Sequence, residues 1–206
     1  MFMLFAFAGA LSLQAQGHDE ESKKILDQLS AKTKAYKTVE LSFTFIVKND
    51  EQGIRDTTKG TLKMKDEKYR LTLADQEIFC DGNKVYTYNK ELNEAQVVEV
   101  SELDADAVMP KNMFTIYESD FKSKIKEKKG NITVIDLYPM NPKDKDYSIV
   151  RIDVDMTRLQ VNRAMVLAKN GTHYTYRIDK LTPDKTFDDS IFVFDKTKYP
   201  KVKVIE

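Results

Sequence analysis

The feature that most limits what this chain can become is an alternation of period two. In "VELSFTFIV", Val39, Leu41, Phe43, Phe45 and Val47 alternate with Glu40, Ser42 and Thr44. Successive side chains of a strand point to opposite faces, so such a run makes a strand with one apolar side. The pattern returns in "KGTLKMK" (Leu62, Met64) and in "KYRLTLAD" (Tyr69, Leu71, Leu73), and "EAQVVEV", "NITVIDLYP", "YSIVRIDVD", "LQVNRAMVLA" and "THYTYRIDKL" read as further strands. Turn signals separate the runs. "EIFCDGNKVYTY" reads as a hairpin around Asp81-Gly82-Asn83, and Asn170-Gly171 is a second two-residue hairpin turn. A final "SIFVFD" reads as a last strand.

Two segments break the alternation. "DEESKKILDQLSAKTKAY" (19–36) places Ile25, Leu26, Leu29 and Tyr36 on one helical stripe, with charges opposite. "MPKNMFTIYESDFKSKIKEKKG" has Met113, Ile116, Tyr117, Phe121 and Ile125 at helical spacing, Pro110 suited to a first turn, and lysines before Gly130. It predicts a second helix over 110–128. The whole is α+β and mainly β: one domain of about ten strands, with two helices covering an apolar sheet face. A sheet that long curls, and closing or nearly closing it deals with its edges. The same residues could line a cavity or fill a two-layer core.

The first stretch, "MFMLFAFAGALSLQAQG", is apolar from Met1 to Leu13. It is shorter than the roughly 20 apolar residues a membrane-spanning helix needs. It fits the apolar region of a secretory signal ending at Ala15, although no Lys or Arg precedes it. That leaves residues 16–206 as the mature domain. No Cys follows the cleavage region, so the mature chain is not itself expected to be a lipoprotein.

Chemistry is scarce. Lys plus Arg and Asp plus Glu both number 33, so the chain has no net charge, which argues against a nucleic-acid partner. Cys80 is the only cysteine, and His18 and His173 are the only histidines, too few for a zinc site or a Cys–His pair. Asp153 and Asp155 lack the further oxygens and the glycine of a Ca²⁺ loop. No nucleophile elbow or phosphate loop occurs. The expectation is a protein without catalysis and without a cofactor.

The order of segments resembles a known family. An N-terminal helix, "GTLKM" (60–64), "KYRL" (68–71), "CDGNKVYTYN" (80–89), "IDLYP" (135–139), "LAKNGTHYTYRI" (167–178) and "FVFDKTKYP" (192–200) are similar to the LolA-type periplasmic carriers of outer-membrane lipoproteins. The resemblance implies an unclosed antiparallel barrel, a strongly curled sheet of about ten to eleven strands, with a helical lid over an apolar cavity. It implies acylated lipoproteins as cargo, an inner-membrane ABC-type releasing complex as donor, an outer-membrane acceptor, and a periplasmic monomer. The expected wall is Leu41, Phe43, Phe45, Leu62, Met64, Leu71, Leu73, Phe79, Tyr86 and Tyr88; the expected lid residues are Met113, Phe114, Tyr117 and Phe121. One departure stands out. Better-known members carry a Lys-Arg-Pro turn after the strand matching 60–64, whose Arg helps hold the lid. Here the turn reads Lys65-Asp66-Glu67, with Arg70 the nearest candidate to replace that Arg. The alternative reading is a periplasmic sensor or interaction module, or a carrier of another lipid, on the same fold.

Overall fold

The computed structural model describes residues 19–103 and 120–206. The expected leader and the lid residues Met113, Phe114 and Tyr117 lie outside the described residues.

Helix α1 (Glu20–Lys34) forms as the charge pattern predicts. Asp19 caps it by accepting from the Glu21 N–H; Glu20 and Glu21 occupy its first turn and Lys32 and Lys34 its last, each sign complementing the helix dipole. Its stripe of Ile25, Leu26 and Leu29 is buried.

Most of the other described residues belong to one sheet. Its strands are β1 (Thr38–Asn49), β2 (Ile54–Lys65), β3 (Lys68–Thr72), β4 (Gln76–Cys80), β5 (Lys84–Asn89), β6 (Glu94–Glu99), β7 (Phe121–Lys129), β8 (Ile132–Pro139), β9 (Tyr147–Asp155), β10 (Gln160–Ala168), β11 (His173–Pro183) and β12 (Lys203–Ile205). They line up as β12-β6-β5-β4-β3-β2-β1-β11-β10-β9-β8-β7. Neighbours are antiparallel except β12, which runs parallel to β6. The order is linear, so the curled sheet stays open, with β12 and β7 as its edges. Both anticipated hairpin turns form. The Asp81 carboxylate accepts from the Asn83 and Lys84 N–H groups, and Gly171 takes a φ of 81° between β10 and β11.

Among the described residues twelve strands exceed the expected ten to eleven, and one of the extra strands is a correction. Residues 121–129 are β7, not the end of a helix. Phe121 and Ile125 are four apart, a spacing that fits both periods. The small Ser123 between them is buried and turns the pattern into alternation against exposed Lys122 and Lys124. Pairing with β8 supplies the partner that selects the strand. The "SIFVFD" strand is a second correction. Residues Asp189–Phe192 form a 3₁₀ turn capped by Asp188, and Phe192 and Phe194 are both buried.

Register assigns the faces. Met64 pairs with Val39 and Tyr69, Tyr69 with Cys80, and Cys80 with Val85, so these five share one face. On that same face α1 packs on the other half of the sheet, where Ile25, Leu26 and Leu29 meet Phe121, Ile135, Leu137, Val150, Ile152 and Val154. We refer to it as the helix face and to its opposite as the reverse face. The helix N-terminus is also fastened to the β7 edge: the Asp19 N–H donates to the Ser123 carbonyl, the Ile125 N–H donates to the Asp19 carboxylate, and the Ser22 and Ser123 hydroxyls meet at 2.8 Å.

Candidate lipid-binding face

Between the two buried clusters of the helix face runs a strip that neither closes. Phe43 and Phe45 of β1 stand there beside Tyr174, Tyr176 and Ile178 of β11, all half-buried. The Phe45 ring lies 4.7 Å from Tyr176 and 6.4 Å from Tyr174, almost parallel to the latter, and Phe43 lies 6.5 Å from Tyr176. Gly60 pairs with Phe43 on β2. A Cβ at position 60 would come within 2.5 Å of the Phe43 ring and 2.8 Å of Leu73 Cδ2, so the missing side chain is what lets both groups lie down over the strand. Leu71 and Ile78 extend the half-buried surface across β3 and β4. Burial pushes the Tyr176 phenol up, with Tyr174 adding to the effect, so Tyr176 presents a neutral ring at neutral pH. Such a surface offers dispersion contacts and exclusion of water, suited to hydrocarbon.

Burial is graded along the strands. Val39 and Leu41 are buried, whereas Phe43, Phe45 and Val47 are half-buried; on β2, Leu62 and Met64 are buried and Thr58 is half-buried. The buried end is a closed cluster of Val39, Leu41, Leu62, Met64, Tyr69, Cys80 and Val85, against which Tyr36, Val100 and Leu103 pack. Burial pushes the Tyr69 phenol up to about 12. Of the anticipated wall, Leu41, Leu62 and Met64 therefore sit in the closed cluster, while Phe43, Phe45, Leu71 and Leu73 sit on or beside the strip. Tyr174 and Tyr176 were not anticipated. Their signal was present: the Asn170-Gly171 turn followed by "THYTYRI" sets a parity that Phe45 shares across the pair.

Three anticipated wall residues face the other way. Phe79 pairs with Arg70 and Tyr86, one position out of step with Cys80, and Tyr88 follows Tyr86 on the same side. They lie on the reverse face, covered by the C-terminal segment. Phe194 stacks on Tyr86 at 5.1 Å, meets Phe79 edge-on at 5.6 Å, and stacks on Tyr199 at 4.8 Å. Residues of the β4–β5 hairpin on the helix face are instead Ile78, Cys80, Val85 and Thr87. A strand's parity inverts with a slip of one residue, and here the Tyr69–Cys80 pairing decides it. Phe121, expected in a lid, is buried under α1 with its ring 6.4 Å from Tyr147.

The substituted turn also works on the reverse side. Lys65 and Lys68 both reach Asp189 at 2.6 Å and hold its carboxyl down to about 2. Arg70 donates to Glu77 at 2.7 Å and lies 4.7 Å over the Phe79 ring. The Lys65, Lys68 and Arg70 side chains thus fasten the C-terminal segment or the layer beneath it on the reverse side, while the Glu67 carbonyl of the turn accepts from the Cys80 thiol of the helix face.

Among the described residues no cluster of His, Cys, Asp and Glu could hold a metal ion, and no helix is long and apolar enough to cross a membrane. Among the described residues one helix covers part of an open, curled antiparallel sheet that bears a half-buried aromatic strip on the same face, which places the protein in the class of open half-barrels. The profile described as "Outer membrane lipoprotein carrier protein LolA" matches residues 34–195, and the chain belongs to that family. No curated protein matches the chain in sequence. In three dimensions it is similar to an uncharacterised conserved protein of Thermus thermophilus, with a TM-score of 0.58 at 8% identity over 90% of this chain and 98% of that one. It is also similar to the lipoprotein LppX of Mycobacterium tuberculosis, with a TM-score of 0.51 at 13% identity over 82% of this chain and 98% of the other.

Proposed function

We propose that this protein is a periplasmic carrier that binds the acyl chains of lipoproteins on the helix face and moves them from the inner to the outer membrane. One observation carries the reading: the half-buried strip of Phe43, Phe45, Tyr174 and Tyr176, in a chain of the lipoprotein-carrier family. Each methylene removed from water contributes about 0.8 kcal/mol, so acyl chains need a shielding surface to cross an aqueous space. A strip only half withdrawn from water can cover them and still release them. In this reading the wall is Leu41, Phe43, Phe45, Leu62, Met64, Leu71 and Leu73, joined by Tyr174 and Tyr176, with the strip as the point of entry and the closed cluster as the deep end. Met113, Phe114 and Tyr117 serve as its lid. Residues 1–15 act as the secretory signal. An inner-membrane ABC-type complex loads the carrier, an outer-membrane protein unloads it, and it works as a monomer without catalysis.

The test is recovery of the protein from periplasm followed by mass spectrometry for acylated lipoproteins. Co-purification with the wild type and its loss in Phe45→Glu, with folding retained by circular dichroism, supports the carrier. No acylated species in either protein overturns it. A protein-interaction module reading the reverse face has less support, because Phe79, Tyr86 and Tyr88 on that face are covered by the chain's own C-terminal segment.

A further inference from the structure

The chain has no net charge, yet β7 carries five lysines and one glutamate in nine residues. Lys128 is paired with Glu21. Among the described residues Lys122, Lys124, Lys126 and Lys129 have no ion-pair partner, and all are exposed. The acid opposite Lys124 is already engaged: Asp136 receives both Nε and Nη2 of Arg151, at 2.6 and 2.9 Å. Opposite Lys122 stands Tyr138, 39% exposed, and Met140 is 50% exposed where its N–H donates to the Asp120 carbonyl at the start of β7.

Lysines on an edge strand ordinarily guard it against pairing with another strand. That role is partly filled here, because Asp19 occupies the outward N–H of Ile125 and the outward carbonyl of Ser123. The same contacts obstruct a protein partner from adding a strand along the middle of β7. What remains is a row of long, unpaired cations beside an exposed aromatic ring and an exposed thioether. Such a combination matches an anionic lipid–water interface, where phosphates meet the ammonium groups and the apolar side chains enter the boundary.

We propose that the β7 edge, with Tyr138 and Met140, docks the protein on the surface of an anionic bilayer. This surface belongs to the sheet edge and reverse face, apart from the aromatic strip, so it stands independently of acyl-chain binding. The experiment is co-flotation of the protein with phosphatidylcholine vesicles with and without phosphatidylglycerol. Wild type binds the anionic vesicles and is released in about 1 M salt, where the Debye length falls to about 3 Å. The triple variant Lys122→Gln/Lys124→Gln/Lys126→Gln loses about a hundredfold in affinity, at roughly fivefold per lysine. The equal-charge control Lys37→Gln/Lys196→Gln/Lys201→Gln keeps it. Comparison within one chain background separates the edge from the apolar amino-terminal stretch. Tyr138→Ser/Met140→Ser weakens binding several-fold and leaves the salt dependence in place. The proposal is overturned if the triple variant binds like wild type, if the control falls equally, or if soluble polyglutamate displaces the protein as well as anionic vesicles do, which would assign the edge to an acidic protein. Binding of a fluorescent fatty acid, measured in the same triple variant, stays unchanged and keeps the two readings distinguishable.

Discussion

Phe45 and Tyr176 face each other across the β1–β11 pair with ring centroids 4.7 Å apart, and both stay half-buried. A ring pair in a finished core would be sealed; this one keeps a face toward solvent. Phe45→Ala is expected to lower stability by only about 1–2 kcal/mol, the pair term plus partial burial. Ile135→Ala, at a fully buried position under α1, is expected to cost about 2–5 kcal/mol. Urea unfolding of the two variants checks the contrast, while fluorescent fatty-acid binding should fall in Phe45→Ala and persist in Ile135→Ala at temperatures where the latter is folded. Equal stability losses would mean that the strip is core.

Gly60 is the one position where a methyl group would reshape the strip without altering its chemistry. Its Cβ would meet the Phe43 ring at 2.5 Å. Gly60→Ala should displace that ring, cost about 1–3 kcal/mol through overpacking, and change fatty-acid affinity more than an Ala at the unobstructed Gly53 would change it. Calorimetry and ligand titration together measure both effects.

Asp189 predicts an acid-sensitive clasp. Lys65 and Lys68 hold its carboxyl at about 2, below its ordinary 3.8. A depressed carboxyl contributes stability that is fully present above the unfolded value and fades as pH falls through the folded one. Wild type should therefore exceed Asp189→Asn in stability above about pH 4, and the gap should narrow toward pH 2. The group is exposed, so the gap should also shrink in high salt. Urea midpoints across that pH range, at two salt concentrations, test both trends. A gap that stays constant down to pH 2 would reject the clasp.

Asp19 joins two elements with one side chain, capping α1 at Glu21 and accepting from Ile125 on the sheet edge. Asp19→Ala should cost about 1–2 kcal/mol, at the upper end for a helix cap because a second donor loses its partner. Hydrogen exchange at the Ile125 amide should accelerate in the variant while exchange in β1 and β2 is unaffected. Uniform acceleration would indicate global destabilisation only.

Much of the architecture could be read from residue order. Alternation in 39–47 and 60–73, the stripe of α1 and the two glycine turns each have a local physical cause, and local causes leave local patterns. Half of the strip, Phe43 and Phe45, was legible for the same reason. The segment at 121–129 was not, because Phe121 and Ile125 satisfy two periods and lysines are good helix formers; only the unpaired edge of β8 tipped the balance.

The faces were the deeper difficulty. In "EIFCDGNKVYTY" large side chains occupy both parities, so nothing in the segment says whether Phe79 and Tyr86 or Ile78 and Val85 look toward α1. The chain alone settled that this is a mainly antiparallel protein with an apolar sheet face to cover. The tertiary structure decided which side each hairpin residue took. Phe194 and Tyr199, more than a hundred positions downstream, bury one set of aromatics, and the Tyr69–Cys80 pairing turns the other set inward. Parity is a relation between strands, and no single strand contains it.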